Sequence, residues 1–140
     1  MKALEQIPVA DAHDAETGMV VALLRELDLA LQALVTAGTR HVIDLSALPL
    51  SPADQGALKT ALGTGELHMD LEALGHSYIW ETSFPGIWWV RHEGPDGRVL
   101  TEHIEVASVP EIVAAHASDL LVGKARLMAT IERISSGRDT

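Results

Sequence analysis

The sequence predicts an α+β fold: an antiparallel sheet of about four to five strands with three to four helices packed against it. Three observations carry that prediction. Apolar residues recur at three- and four-residue spacing over residues 17–37 and again over 119–134. Between them, residues 66–106 break into short β-prone runs. The last two runs flank Gly94-Pro95-Asp96-Gly97, in which proline presets one φ and the glycines tolerate a tight reversal. A chain of 140 residues fits one domain, 1–140. A chain of that size buries roughly 68–70% of its unfolded surface.

Taken in order, Leu4 to Val9 reads as a short strand broken by Pro8. Asp14 is a plausible N-cap for a helix over about 17–37, with Gly38 as its stop. Val20, Leu23, Leu24, Leu27, Leu31, Leu34 and Val35 form its apolar stripe, with Arg25, Glu26, Asp28 and Gln32 largely off it. His41 to Leu45 is a short buried strand. Ser51-Pro52-Ala53-Asp54 starts a second helix as a capping box with proline in the first turn, and Gly63 and Gly65 end it after Leu62. Glu66 to Ala73 alternates, with Leu67, Met69 and Leu71 on one face. Ser77 to Thr82, Gly86 to Glu93 and Arg98 to Val106 complete the sheet. Pairing Gly94 with Gly97 sets Trp88 opposite His103, Trp89 opposite Glu102 and Arg91 opposite Leu100; a bulge would shift this register by one. Ser108-Val109-Pro110-Glu111 resembles a further capping box, for a helix to about Ala117. Ser118 would cap a last helix ending near Ile134, before a polar, frayed tail over 135–140.

Composition excludes several functions. Without cysteine there is no disulfide framework, thiolate metal site or cysteine nucleophile, which suits a reducing cytoplasm. The formal charge of −10 opposes nucleic-acid binding and anionic membrane surfaces. Residues 51–107 carry nine acidic and three basic side chains, so the acid gathers on the predicted sheet and favours a basic partner. The first eight residues lack the apolar run of a secretory signal, and charges interrupt residues 19–37 too often for a membrane span.

Candidate chemistry is sparse. Seven histidines raise a metal reading, in which His103 and Glu105 share a strand face with His92 and His68 on neighbouring strands. Against it, there is no HExxH or paired-His spacing, and the register above holds His92 and His103 far apart. Serines fall at turns and caps, with no GxSxG. The carboxylate pairs Glu102/Glu105 and Glu66/Asp70 read as a solvated face rather than an acid–base pair. No enzymatic activity, catalytic residue or cofactor is expected. The densest unusual feature is aromatic: all three tryptophans and the sole phenylalanine lie within residues 80–89. Adjacent Trp88 and Trp89 must point to opposite faces of a strand. One is core, and the other is covered by a helix, a second copy in a homodimer, or a partner. Phe84, Trp88, Trp89, Glu102 and Glu105 are therefore the partner-binding candidates.

These residues also carry a resemblance. Ile43-Asp44-Leu45, then Leu48-Pro49-Leu50-Ser51-Pro52-Ala53-Asp54, then Leu62-Gly63-x-Gly65-Glu66, then Glu81-Thr82-x-x-Pro85-Gly86-Ile87-Trp88-x-Val90, then Ile104-Glu105-Val106-x-x-Val109-Pro110-Glu111 occur in that order. The series, over about residues 22–117, resembles the conserved C-terminal region of the HupH/HyaF hydrogenase expression/formation proteins. The resemblance implies a cytoplasmic, non-enzymatic accessory role in [NiFe]-hydrogenase maturation, with a hydrogenase subunit precursor, notably the small subunit, as partner. This chain is shorter than typical members, and the family supplies no catalytic residues to carry over. Two readings stand beside it: a metal-delivery module using His92, His103 and Glu105, and a homo-oligomeric structural domain without cargo.

Overall fold

A computed structural model describes residues 2–72 and 75–137, with side chains from residue 18 onward. The chain divides into two units, residues 1–110 and 111–140.

The first unit opens with α1 (Lys2–Ala37), followed by β1 (His41–Asp44), a 3-10 turn (Leu45–Ala47) and α2 (Pro52–Leu62). Four strands then run in succession: β2 (His68–Glu72), β3 (His76–Glu81), β4 (Ile87–Glu93) and β5 (Val99–Val106). They form one antiparallel sheet in the order β1-β5-β4-β3-β2, so a four-strand meander receives β1 along the free edge of β5. Ala73, placed at the end of β2 by the sequence, lies outside the described residues.

The α2 capping box forms as its residues dictate. Ser51 Oγ accepts from the Asp54 amide at 3.0 Å, and Asp54 Oδ2 accepts from the Ser51 amide at 3.2 Å. The N-terminus departs from expectation. Residues 4–9 are helical rather than a strand, and α1 starts at Lys2 rather than after Asp14. Helix formers around Pro8, namely Ala3, Leu4, Glu5, Ala10 and Ala12, outweigh the breaker. On the α1 stripe, Val20, Leu23 and Leu27 are buried and Ala30 joins them, whereas Val35 is 80% exposed. These side chains meet Leu58 and Leu62 of α2 and Ile43, Ile87, Trp89, Ile104 and Val106 of the sheet in one apolar core.

The β4–β5 hairpin keeps the expected faces in a different register. Trp88 pairs with Glu105, Trp89 with Ile104 and Arg91 with Glu102. Two single-residue offsets add. Gly97, at φ +82°, closes a turn to Gly94, and the Gly94 amide donates to Arg98 rather than pairing Gly94 with Gly97. A bulge between His92 and Glu93 supplies the second offset. A total slip of two restores face parity.

The second unit holds a turn at 111–113 and α3 (Ala117–Ser135). The expected helix over 108–117 does not form. Only the Ala114 amide closes back, onto Glu111 at 3.3 Å, because so short a segment cannot offset the cost of nucleating a helix. α3 begins one residue ahead of the expected Ser118 cap. His116 takes the cap position and its amide donates to Asp119 Oδ2 at 3.4 Å.

Candidate functional site

β4 places the two adjacent tryptophans on opposite sides of the sheet, and both are buried. Trp88 is 4% exposed and Trp89 0%. Trp89 lies on the helix-facing side. Its indole stacks on Trp80, with centroids 5.7 Å apart and planes 9° apart. Its Nε1 donates to Glu102 Oε2 at 2.7 Å, and Gln55 Nε2 donates to Glu102 Oε1 at 2.6 Å. Lys59 Nζ stands 3.7 Å from Glu102 Oε2 and 5.2 Å above the Trp89 ring. The Arg91 guanidinium continues the stack, 4.9 Å over Tyr78 and 5.9 Å from Trp80. Glu102 is thus a buried hub that ties α2 to the sheet, its charge offset by Lys59 and its oxygens filled by two donors.

On the opposite side, Trp88 Nε1 donates to the Ala107 carbonyl at 3.0 Å. Glu105, 4% exposed, is ion-paired with Arg40 and lies 3.4 Å from His103 Nε2. The expectation of a solvated carboxylate pair at Glu102 and Glu105 is therefore corrected: both are enclosed and cation-paired, and strand alternation sends them to opposite faces. Neither tryptophan remains uncovered for a partner or a second copy. Of the five sequence candidates, Phe84 alone is exposed, at 46%.

The histidines do not assemble as the metal reading requires. His92 and His103 lie closer than the expected register allowed, with ring centroids 5.9 Å apart. His68, paired with Trp80 in the β2–β3 ladder, lies on the other face of the sheet. Among the described residues, no three His, Asp or Glu side chains are grouped to hold a metal ion. His92 Nδ1 sits 2.7 Å from Ser77 Oγ. Burial, then the neighbouring His103, lowers its pKa below the usual 6.5.

The exposed feature is a corner. After β3, Thr82 is buried, and its hydroxyl bonds both the amide and the carbonyl of Phe84, each at 3.2 Å. The Ile87 amide also donates to Phe84 O, and Gly86 turns the chain at φ +92°. The end of α2 is joined to this corner through backbone. The Ser83 amide donates to Leu62 O at 2.9 Å and the Gly65 amide to Glu81 O at 2.7 Å. A Cβ on Gly65 would lie 2.6 Å from Thr82 O, and one on Gly63 2.3 Å from Ser83 Oγ. Gly65 thus admits the Thr82 backbone, and Gly63, at φ +67°, leaves room for the Ser83 side chain.

This corner overhangs an apolar cleft of about 220 Å³ lined by Leu24, Leu27, Asp28, Leu31, Leu62, Phe84 and Ile87. The sequence signal for it lay in α1. Leu24 and Leu31 widen the stripe beyond what the sheet covers, and Asp28 stands between them at i+4 and i−3. A cleft of this size and lining accepts one or two apolar side chains of a polypeptide, with a carboxylate at its rim for a basic neighbour.

No helix among the described residues is long and apolar enough to cross a membrane. The family description "HupH hydrogenase expression protein, C-terminal conserved region" matches residues 19–134. The hydrogenase expression/formation protein HoxQ of Azotobacter vinelandii is 33% identical over 82 residues, 59% of this chain and 29% of that protein. The hydrogenase-1 operon protein HyaF of Escherichia coli is 30% identical over 100 residues, 71% of this chain and 35% of that protein. The solved structure of a HupH hydrogenase expression protein from Thiobacillus denitrificans superposes with a TM-score of 0.78 at 42% identity, covering 82% of this chain and 96% of that one. The chain spans 29–40% of the length of the curated relatives it matches. The α+β fold, the ordered motif series and these likenesses agree, and the chain belongs to the HupH hydrogenase expression protein family, as its C-terminal conserved region.

Proposed function

We propose that this chain is a non-enzymatic accessory module of hydrogenase maturation, working in the cytoplasm, that holds a segment of a hydrogenase subunit precursor, notably the small subunit. The observation that carries this reading is the cleft beneath Phe84, an exposed aromatic over an apolar recess with Asp28 at its rim. Relatives named for hydrogenase expression and formation supply the class of partner. Charge supports the same reading. A net −10 steers a basic segment toward the surface, and apolar contact in the cleft then slows its release.

Binding of purified small-subunit precursor to this chain tests the proposal. Phe84→Ala and Asp28→Lys should each weaken binding by roughly tenfold while leaving the melting temperature near that of wild type. Val42→Ala, an exposed apolar control on the opposite side of the sheet, should bind as wild type does. Binding unmoved by both cleft substitutions would overturn the cleft assignment. Wild-type protein that fails to bind the precursor would overturn the choice of partner.

A further inference from the structure

At the start of β3 the ladders pair Glu72 of β2 with His76, and His76 with Glu93 of β4, so the three side chains stand abreast on one face of the sheet. They line a hollow of about 530 Å³, together with Tyr78 and the turn that begins at Gly94. That volume is in the range of ligand clefts. The hollow shares no lining residue with the cleft beneath Phe84. Its walls are set by main chain: a Cβ on Gly75, at φ +134°, would lie 2.2 Å from Glu93 O, so the start of β3 is pressed against the end of β4.

The column of stacked side chains runs along this same face and ends at the hollow. Cations and pairs of rings alternate along it: Lys59, then Trp89 and Trp80, then Arg91, then Tyr78 and His76. The last two rings have centroids 4.3 Å apart and planes 18° apart. Each cation has a carboxylate, Glu102 at 3.7 Å from Lys59 and Glu93 at 3.3 Å from Arg91. Past His76 the order reaches a third carboxylate without a third lysine or arginine. Glu72 lies 3.5 Å from His76 Nδ1 with 82% of its side chain exposed. The His76 side chain is itself 29% exposed, and among the described residues no ring other than Tyr78 stacks on it.

We propose that this hollow receives the guanidinium of an arginine carried by a partner polypeptide, stacked on His76 and paired with Glu72. Charge and shape select this occupant. In the neighbouring row, Asp70, Tyr78, Arg91 and Glu102 stand abreast, and two carboxylates flank a ring and a guanidinium. The row of Glu72, His76 and Glu93 has the two carboxylates and the ring but no guanidinium. A flat guanidinium lies on a ring while its fork meets a carboxylate, which the compact ammonium of lysine cannot match. A free amino acid would bring its own carboxylate against Glu72 and Glu93, whereas an arginine within a peptide does not. β2, which carries Glu72, is the outermost strand of the sheet, so a partner chain reaches it without displacing another strand.

Tyr78 is the only tyrosine of the chain, so its ring signals report on the hollow alone. In an NMR titration, acetyl-Gly-Arg-Gly-amide should shift the Tyr78 and His76 ring signals saturably. Acetyl-Gly-Lys-Gly-amide and free L-arginine should each bind at least about threefold more weakly. Glu72→Gln should weaken binding of the arginine peptide by roughly fivefold, and His76→Ala by a similar factor. Glu72 is exposed, so its substitution leaves the fold intact, which circular dichroism verifies. Glu66→Gln, the same loss of charge at another exposed site, should bind the peptide as wild type does, and so should Phe84→Ala. An arginine peptide that moves neither ring, a lysine peptide or free arginine that binds as tightly, or Glu72→Gln binding no more weakly than Glu66→Gln would each overturn the proposal.

Discussion

Trp88 and Trp89 are neighbours in sequence and equally hidden, yet their surroundings differ. Trp89 sits in the main apolar core and gives its indole proton to a carboxylate that also serves Gln55 and Lys59 of α2. Trp88 lies on the far side of the sheet and gives its proton to the carbonyl of Ala107, just past the end of β5. The Trp89 indole joins elements distant in sequence through Glu102; the Trp88 indole secures the sheet to its own exit strand. A pair of tryptophans that looks like a binding motif is here two anchors, one for each side of the sheet.

The sharpest way to break the comparison is Trp89→Ala, which should cost about 3–5 kcal/mol in chemical denaturation, because it empties the core and strands Glu102. Trp88→Ala should cost less, and the reverse order would contradict the assignment of the two sides. Next in size is Glu102→Ala, expected to cost about 1–3 kcal/mol by leaving Trp89 Nε1 and Gln55 Nε2 without their acceptor. Glu102→Gln should cost less, since an amide oxygen still accepts. The smallest effect belongs to the Trp88 side and is read by pH. His92 has a lowered pKa in the folded protein, so the unfolded chain binds its proton first. Stability is complete above pH 6.5 and falls as pH drops from there through the lowered folded value. His92→Gln should flatten that segment of the stability–pH curve.

Much of the architecture is legible in residue types. Ser51-Pro52-Ala53-Asp54 announces α2 because both halves of its capping box are local. Alternation in 68–72 marks a strand because one side of it is covered. The hairpin register is not legible, since the bulge at His92/Glu93 is a choice of backbone rather than of residue. Nor is the covering of Trp89, whose acceptor Glu102 meets Gln55 across 47 residues. Ser108-Val109-Pro110-Glu111 shows the opposite failure. Its residues fit a helix start, but the chain leaves one turn and re-enters a helix only at Ala117. Of the site, Phe84 was legible because it is the sole phenylalanine beside a turn. Leu24, Asp28 and Leu31 were not, since an apolar stripe looks the same whether it meets a sheet or borders a recess.

The glycine splice between α2 and the Phe84 corner has a consequence for how this surface can diversify. Two walls of the recess, Leu62 and Phe84, are held in register by main-chain bonds from Ser83 to Leu62 and from Gly65 to Glu81. Its aperture is therefore a property of the backbone, like the width of a mould, whereas its lining is a property of α1. Substitutions at Leu24, Asp28 and Leu31 can retune what the recess accepts without altering its shape, and a single methyl group on Gly65 would deform the mould itself.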